Sequence, residues 1–278
     1  MEKTNIGIIG KGFVGSAVAN GFSANTGFDS IVRIYDVDPA KSTHSLEDVV
    51  NKSEFVFVSL PSPTNFESNK INLDIIYDAF ENISKVSKNN ETIFLLRSTV
   101  VPGTTKKLSE KYPNLKIVFN PEFLTQRSAY LDFINQSRFI FGGDTHDTAR
   151  VADLMKKRFG SSIRIICSGY EESEMIKYMC NCFFATKVSF LNDMYVLAKK
   201  LDLDWDILLD GFISDGRIGH SHINVPGPDG KFGFGGACFP KDTTAFIDFA
   251  KNNDIRLNTL EGAWKTNVEV RPEKDWEI

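Results

Sequence analysis

Cysteine is scarce in this chain: four residues in 278, at positions 167, 180, 182 and 238. They are too few and too unevenly spaced for a disulfide framework, and none forms a C-x-x-C zinc pair. Basic charge is not in excess either, since 32 Lys and Arg stand against 36 Asp and Glu for a formal net charge of −4. That excludes a diffuse positive field for nucleic acid or an anionic membrane, so any anionic ligand has to be held locally. No apolar run reaches the 18 or so residues that a membrane-spanning helix needs. The opening MEKTNIGIIG passes from charged residues through a short apolar run into glycine, without a small-residue cleavage site, so a secretory leader is not expected. Histidine occurs only at 44, 146, 220 and 222; beyond the pair 220/222 no ligand spacing is seen, no acid cluster is read beside them, and no metal is assigned. A reducing cytoplasm is the expected location.

What the chain does have is enough apolar residues, 42%, to build a large core, with 24% charged residues for its surface. Short β-branched or aromatic runs at Ile6–Ile9, Ile31–Tyr35, Phe55–Leu60, Thr92–Leu96, Lys116–Phe119, Arg138–Phe141 and Ile163–Ile166 predict strands. Between them, Val14–Phe22, Leu73–Val86 and Thr148–Phe159 carry helical spacing of apolar residues. Alternation of this kind predicts an α/β fold with a doubly wound, mostly parallel Rossmann-type sheet over residues 1–168. From 169 to 278 the pattern turns helical. Glu171–Lys200 contains neither Gly nor Pro and predicts one long central helix, followed by helices at Trp205–Phe212, Lys241–Lys251 and Leu257–Val270 around a Gly-rich loop. The closing RPEKDWEI reads as a polar, exposed end or a linker stub.

Gly10, Gly12 and Gly15 in GKGFVG follow the first predicted strand and open the first helix, and Asp36 ends the next strand. In that context the glycines serve a tight turn, close approach of a pyrophosphate and helix–strand packing. Asp36 would accept from ribose hydroxyls and repel a 2′-phosphate, which favours NAD over NADP. SLPSPTN, RSTVVPGTT and NPEFLTQ follow the third, fourth and fifth strands, all at the carboxyl edge where such sheets bind ligands.

Lys177 and Asn181 are four residues apart and share one helix face, either as an oxyanion-holding pair or as a solvated surface. Cys180 and Cys182 are expected to fill apolar gaps. Cys238 lies between glycines and a probable helix start, where the helix dipole and Lys241 would favour a thiolate nucleophile, although a buried structural thiol is the alternative. Gly235 and Gly236 argue for close approach of something to the backbone. With no histidine in place, general-base work would fall to Glu122, to Lys177 or to water held by Thr99.

Taken together, GKGFVG, SPTN, STVVPGT, NPEFL, E-x-x-K-x-x-x-N at 174–181, DGRIG and GFGGACFPKD resemble the UDP-glucose/GDP-mannose dehydrogenase family over nearly the whole chain. The resemblance implies NAD-dependent, four-electron oxidation of a sugar C6 alcohol to a carboxylate, with UDP-glucose as the foremost substrate and a cysteine capturing the aldehyde. It implies Cys238 as nucleophile, Lys177 and Asn181 at the oxyanion, Asp242 orienting the Cys238 region, and Thr99 and Glu122 at the hydrolytic water. Gly10, Gly12, Phe13, Val14, Gly15, Asp36, Pro63, Thr64, Thr99 and Lys241 would bind NAD. Glu122, Phe123, Leu124, Lys177, Asn181, Arg217 and Gly235 would line the nucleotide sugar, and a homodimer through the central helix is expected.

Two departures qualify the resemblance. The family's second acid, four residues past the NPE glutamate, is Gln126 here, which is no base at neutral pH. The family also ends in a further α/β domain over the substrate nucleotide, and this sequence stops at Ile278. Two other readings stay open: a two-electron β-hydroxyacid-type dehydrogenase, which needs no Cys238, and a silent module that binds NAD or a sugar nucleotide.

Overall fold

Apolar runs become strands and the amphipathic intervals between them become helices. The computed structural model describes residues 3–277. In chain order the elements are β1 (Thr4–Ile9), α1 (Phe13–Gly21), β2 (Ser30–Tyr35), α2 (Leu46–Asn51), β3 (Phe55–Val58), β4 (Thr64–Asn65), β5 (Lys70–Ile71), α3 (Asp74–Val86), β6 (Ile93–Leu96), α4 (Thr104–Lys111), β7 (Lys116–Phe119), α5 (Ala129–Ile134), β8 (Arg138–Gly143), α6 (Thr145–Phe159), β9 (Arg164–Ser168), α7 (Tyr170–Lys200), α8 (Trp205–Ile213), α9 (Phe239–Lys251) and α10 (Asn258–Val270). They form two compact units: the chain up to Pro63 with Asn72–Lys177, and Thr64–Ile71 with the chain from Tyr178 onward.

In the first unit seven strands lie in the order β2-β1-β3-β6-β7-β8-β9. Every neighbouring pair is parallel except β7 and β8, where Val118 faces Gly143 and Phe119 faces Gly142 in antiparallel register. The sheet is mostly parallel, as the apolar runs predict. Alternating side chains feed two cores. Ile6, Ile8, Phe57 and Leu95 pack with Val18 of α1, Phe22 just after it and Phe133 of α5, while Ile9, Val56, Val58, Phe94 and Leu96 pack with α2, α3 and α4. Because β1 is flanked by both β2 and β3, the strand order reverses beside it, which creates the crevice where doubly wound sheets bind ligands.

Three short helices escape prediction. α2 and α5 have six residues each and α4 has eight with only Leu108 as a buried aliphatic, so none is long enough to display an apolar stripe. For α2 a local signal does exist, since Ser45 Oγ caps it by accepting from the Asp48 N–H at 3.1 Å. SLPSPTN, expected to be a turn, instead runs into the antiparallel β4–β5 hairpin, which belongs to the second unit.

The second unit holds α7 from Tyr178, then α8, whose N-terminus Asp204 caps, and then α9, with Pro240 in its first turn, and α10. Its C-terminal segment is not the exposed end expected. Arg271 and Trp276 are buried, and Trp276 packs on Trp264 with ring centroids 5.3 Å apart. Charged residues hide this packing in the sequence because their partners lie in the distant Gly-rich loop.

Candidate active site

At the end of β1 the chain turns at Gly10, with φ +89°, and its N–H donates to the Tyr35 carbonyl at 2.9 Å. A Cβ on Gly10 would lie 2.3 Å from the Ser59 carbonyl oxygen, and one on Gly15 would lie 1.9 Å from the Gly10 oxygen. Gly12 is different: a Cβ there meets nothing within 4 Å among the described residues. Two glycines are therefore required by the protein's own packing, and the third lies beside open space at the N-terminus of α1. That helix carries no acidic side chain in its first turn, and the first N–H groups of a helix lack intrahelical acceptors. Phe13 and Val14 turn their side chains to the core.

Asp36 stands at the end of β2. Its Oδ2 accepts from the Lys11 N–H at 2.6 Å and its Oδ1 from the Asp38 N–H at 2.9 Å. Partial burial works against its charge, but these N–H groups and the Lys41 and Lys11 ammoniums hold it below the usual carboxylate range. An ionised carboxylate at this strand end, beside an open helix N-terminus, fits a dinucleotide without a 2′-phosphate.

Further along the same sheet edge, Lys177 is 3% exposed, which settles its face of α7 as buried. Its Nζ donates to the Glu122 carbonyl and to Glu122 Oε1, the latter at 2.9 Å, and lies 5.3 Å from the Phe123 ring centroid. Glu122 Oε2 accepts from the Leu124 N–H at 2.7 Å. Phe123 also receives Arg138, 4.8 Å from its centroid, and Leu124 is buried, whereas Gln126 is exposed. Thr99 is buried in the loop after β6. Ser98, just before it, both accepts from the Leu60 N–H at 3.0 Å and donates to the Leu60 carbonyl at 2.7 Å.

In the second unit Asn181 is 8% exposed and donates through Nδ2 to Asp242 Oδ2 at 2.6 Å. Asp242 is itself buried and takes the Lys241 ammonium on Oδ1. The Lys241 charge expected beside Cys238 is thus paired with a carboxylate. Thr64, in β4, donates to the Lys241 carbonyl at 3.4 Å. Cys238 is half-buried and is the N-cap residue of α9. Burial, with the Asp242 charge, pushes the Cys182 thiol far above its ordinary range, which makes it an inert core residue. Cys180 is half-buried and Cys167 exposed.

Gly235 owes its lack of a side chain to a neighbour, because a Cβ there would lie 2.3 Å from Arg271 Nη2. Arg217 is exposed and its Nε donates to Asp215 Oδ1 at 2.9 Å. One histidine does have acids beside it: Asp144, His146 and Asp147 offer ligand atoms within 4.8 Å of one another. Asp144 is already used, as Oδ1 caps α6 by accepting from the N–H groups of His146 and Asp147.

Residues 40–159 match the NAD binding domain of the UDP-glucose/GDP-mannose dehydrogenase family, and residues 171–269 match its central domain. The UDP-glucose 6-dehydrogenase of Rickettsia typhi is 30% identical over 96% of this chain and 67% of its own length. The chain belongs to the UDP-glucose/GDP-mannose dehydrogenase family. TuaD, the UDP-glucose 6-dehydrogenase of Bacillus subtilis, is also 30% identical, over 82% of this chain and 49% of its own length. A UDP-glucose dehydrogenase structure from Pyrobaculum islandicum superposes with a TM-score of 0.82 at 25% identity, covering 98% of this chain and 69% of that one. The chain spans about half the length of the first curated relatives it matches. NAD is the cofactor that the family assignment implies, and Gly12 and Asp36 fit it.

Two buried charged residues of this family member went unread in the sequence. Arg97, 1% exposed, donates through Nη1 to Asn120 Oδ1, while its Nε and Nη2 find no hydrogen-bond partner among the described residues. Burial lowers it to about 10, partly offset by the charge of Glu122. Arg271 binds Asp229 Oδ2 at 2.7 Å, Asp275 Oδ2 at 2.6 Å and the Phe232 carbonyl at 3.1 Å. With Asn267, which pairs with both backbone groups of Phe234, it pins the loop that leads to Cys238.

Proposed function

We propose that this chain oxidises the C6 alcohol of a nucleotide sugar, UDP-glucose foremost, to the carboxylate. NAD, when bound, accepts the hydride that each of the two oxidations removes. The Cys238 thiolate adds to the C6 aldehyde, and the thiohemiacetal that forms is the species oxidised in the second step. The resulting thioester takes up water; the C–S bond breaks, the thiolate returns to Cys238 and the carboxylate leaves. Across the whole sequence one alcohol, two NAD⁺ and one water give one carboxylate, two NADH and three protons. Lys177 holds its ammonium at the oxyanions of both steps, and Asn181, oriented by Asp242, positions the oxygen. Glu122 and Thr99 hold the hydrolytic water, and with Gln126 in place of the second acid this step falls to Glu122 alone.

The observation that carries this reading is the buried Lys177–Glu122 pair at the carboxyl edge. A buried ammonium and carboxylate cost more in desolvation than a packed apolar pair, so their retention points to use. A second copy of this chain is the partner we assign to the apolar face of α7 and α8, where Phe190, Met194, Leu197, Leu201 and Leu208 surround a groove of about 290 Å³. The test is the yield of NADH per UDP-sugar or GDP-sugar consumed. Two NADH per sugar, abolished by Cys238→Ala, supports the proposal. One NADH per substrate with activity retained in Cys238→Ala favours the two-electron reading, and NAD binding without turnover favours a silent module.

A further inference from the structure

The E-x-x-K-x-x-x-N segment begins with a residue that the mechanism leaves unused. Glu174 is wholly buried on α7, one turn before Lys177. Its Oε2 accepts from the Gly103 N–H at 2.6 Å, and its Oε1 accepts from the N–H and the hydroxyl of Thr105 at 2.8 and 2.6 Å. Those donors are the open N-terminus of α4. The N-cap residue of that helix is Gly103, at φ +91°, so it has no side chain to cap with, and its conformation disfavours any residue that would. A carboxylate about 70 residues later in the chain supplies the missing cap, with the helix dipole in its favour.

We propose that Glu174 is a positioning residue that holds the loop between β6 and α4, and with it Thr99, in register with Lys177. Ser98 fixes the near end of that loop to Leu60 and Glu174 fixes its far end to α7, so Thr99 lies between two anchors. Through the same turn of α7, Lys177 holds the loop that carries Glu122. One helix turn thus ties down both loops to which the water-handling residues belong. As a statement about catalysis this rests on the dehydrogenase reading; as a statement about loop order it does not.

Hydrogen–deuterium exchange over residues 98–105, run beside NADH kinetics on the full chain, separates the two. In Glu174→Gln an amide N–H donor replaces one carboxylate oxygen and opposes the donors of α4. Exchange at 98–105 should rise about 10- to 150-fold, the worth of a hydrogen bond to a charged group. Protection elsewhere in the first unit and NAD affinity should stay within about twofold, and kcat should fall at least tenfold with little change in KM. Glu174→Asp should recover part of both losses. A second measurement needs no variant. Burial raises the Glu174 carboxyl to about 7, so its ionised, bracketing form is lost as pH falls below that value. Intrinsic-rate-corrected protection at 98–105 should therefore step down below pH 7 in the wild type and stay flat in Glu174→Gln. The charged and titratable groups around it, Glu171 paired with Lys106, and Lys111 and Tyr77, do not account for a step that the Gln variant abolishes. Unchanged exchange at 98–105, equal loss of protection throughout the unit, or unchanged kcat would overturn the proposal. A wild type that makes no NADH while 98–105 responds as described would overturn the dehydrogenase reading and leave the loop anchor standing.

Discussion

Replacing each glycine of the first turn by alanine separates packing from ligand binding. At Gly15 the added methyl would lie 1.9 Å from the Gly10 carbonyl oxygen, far inside contact distance, and that oxygen belongs to the backbone and cannot swing aside. Overpacking of that kind costs about 1–3 kcal/mol or more. At Gly12 the methyl meets nothing within 4 Å, and the backbone, at φ −76° and ψ −165°, suits alanine. Gly12→Ala should therefore unfold at the wild-type midpoint or slightly above it, since alanine reduces the freedom of the unfolded chain by about 0.4–1 kcal/mol. Its methyl would nonetheless occupy the space a pyrophosphate needs, and loss of one hydrogen bond to a charged group is about 1.5–3 kcal/mol, or about 10- to 150-fold in Kd. Urea unfolding and calorimetric NAD titration on both variants make the comparison. Wild-type NAD affinity in Gly12→Ala, or wild-type stability in Gly15→Ala, would refute the division of roles.

Asp36→Ala removes the acceptor of two backbone N–H groups at the end of β2, so NAD should bind about tenfold more weakly and its preference over NADP should narrow, as paired titrations would show. Arg271→Met takes the guanidinium from Asp229 and leaves Asp275 with the Lys231 ammonium, and should cost about 1.5–3 kcal/mol in chemical denaturation. Arg271 also holds the Asp275 carboxyl down at about 2, against an ordinary 3.8. That contribution is complete above the ordinary value and is lost as pH falls from there through about 2, so the acid limb of the stability curve should shrink in the variant. Phe190→Glu places a charge on the apolar face of α7 and should convert a dimer to a monomer by light scattering; a wild type of monomer mass would remove that partner.

Much of the first unit is legible because its signals are local. A β-branched run reads as a strand wherever it lies, and the Gly-x-Gly-x-x-Gly turn needs only its own strand and helix to be recognised. Lys177 and Asn181 were visible as a pair through their spacing, but spacing alone leaves a buried face and a solvated one equally open. The 3% exposure of Lys177 came from packing against the loop after β7. Gly235 was readable as a close approach, yet the group that approaches, Arg271, lies 36 residues on and carries a charge that usually signals a surface.

By itself, then, the sequence determined the strands of the main sheet and the longer helices, the doubly wound class, the NAD turn with its acid, and the family. The first three follow from periodicity and short-range spacing, and the family from the motifs that resemble it. Tertiary structure alone decided the antiparallel β7–β8 pair, the capping of α4 by Glu174, the burial of Arg97 with two nitrogens unpartnered among the described residues, and the burial of the C-terminal segment under its own charged residues. Each turns on whether a polar group meets a partner across tens of residues, and the free energy of burying a charge is set by that partner, which no local pattern contains.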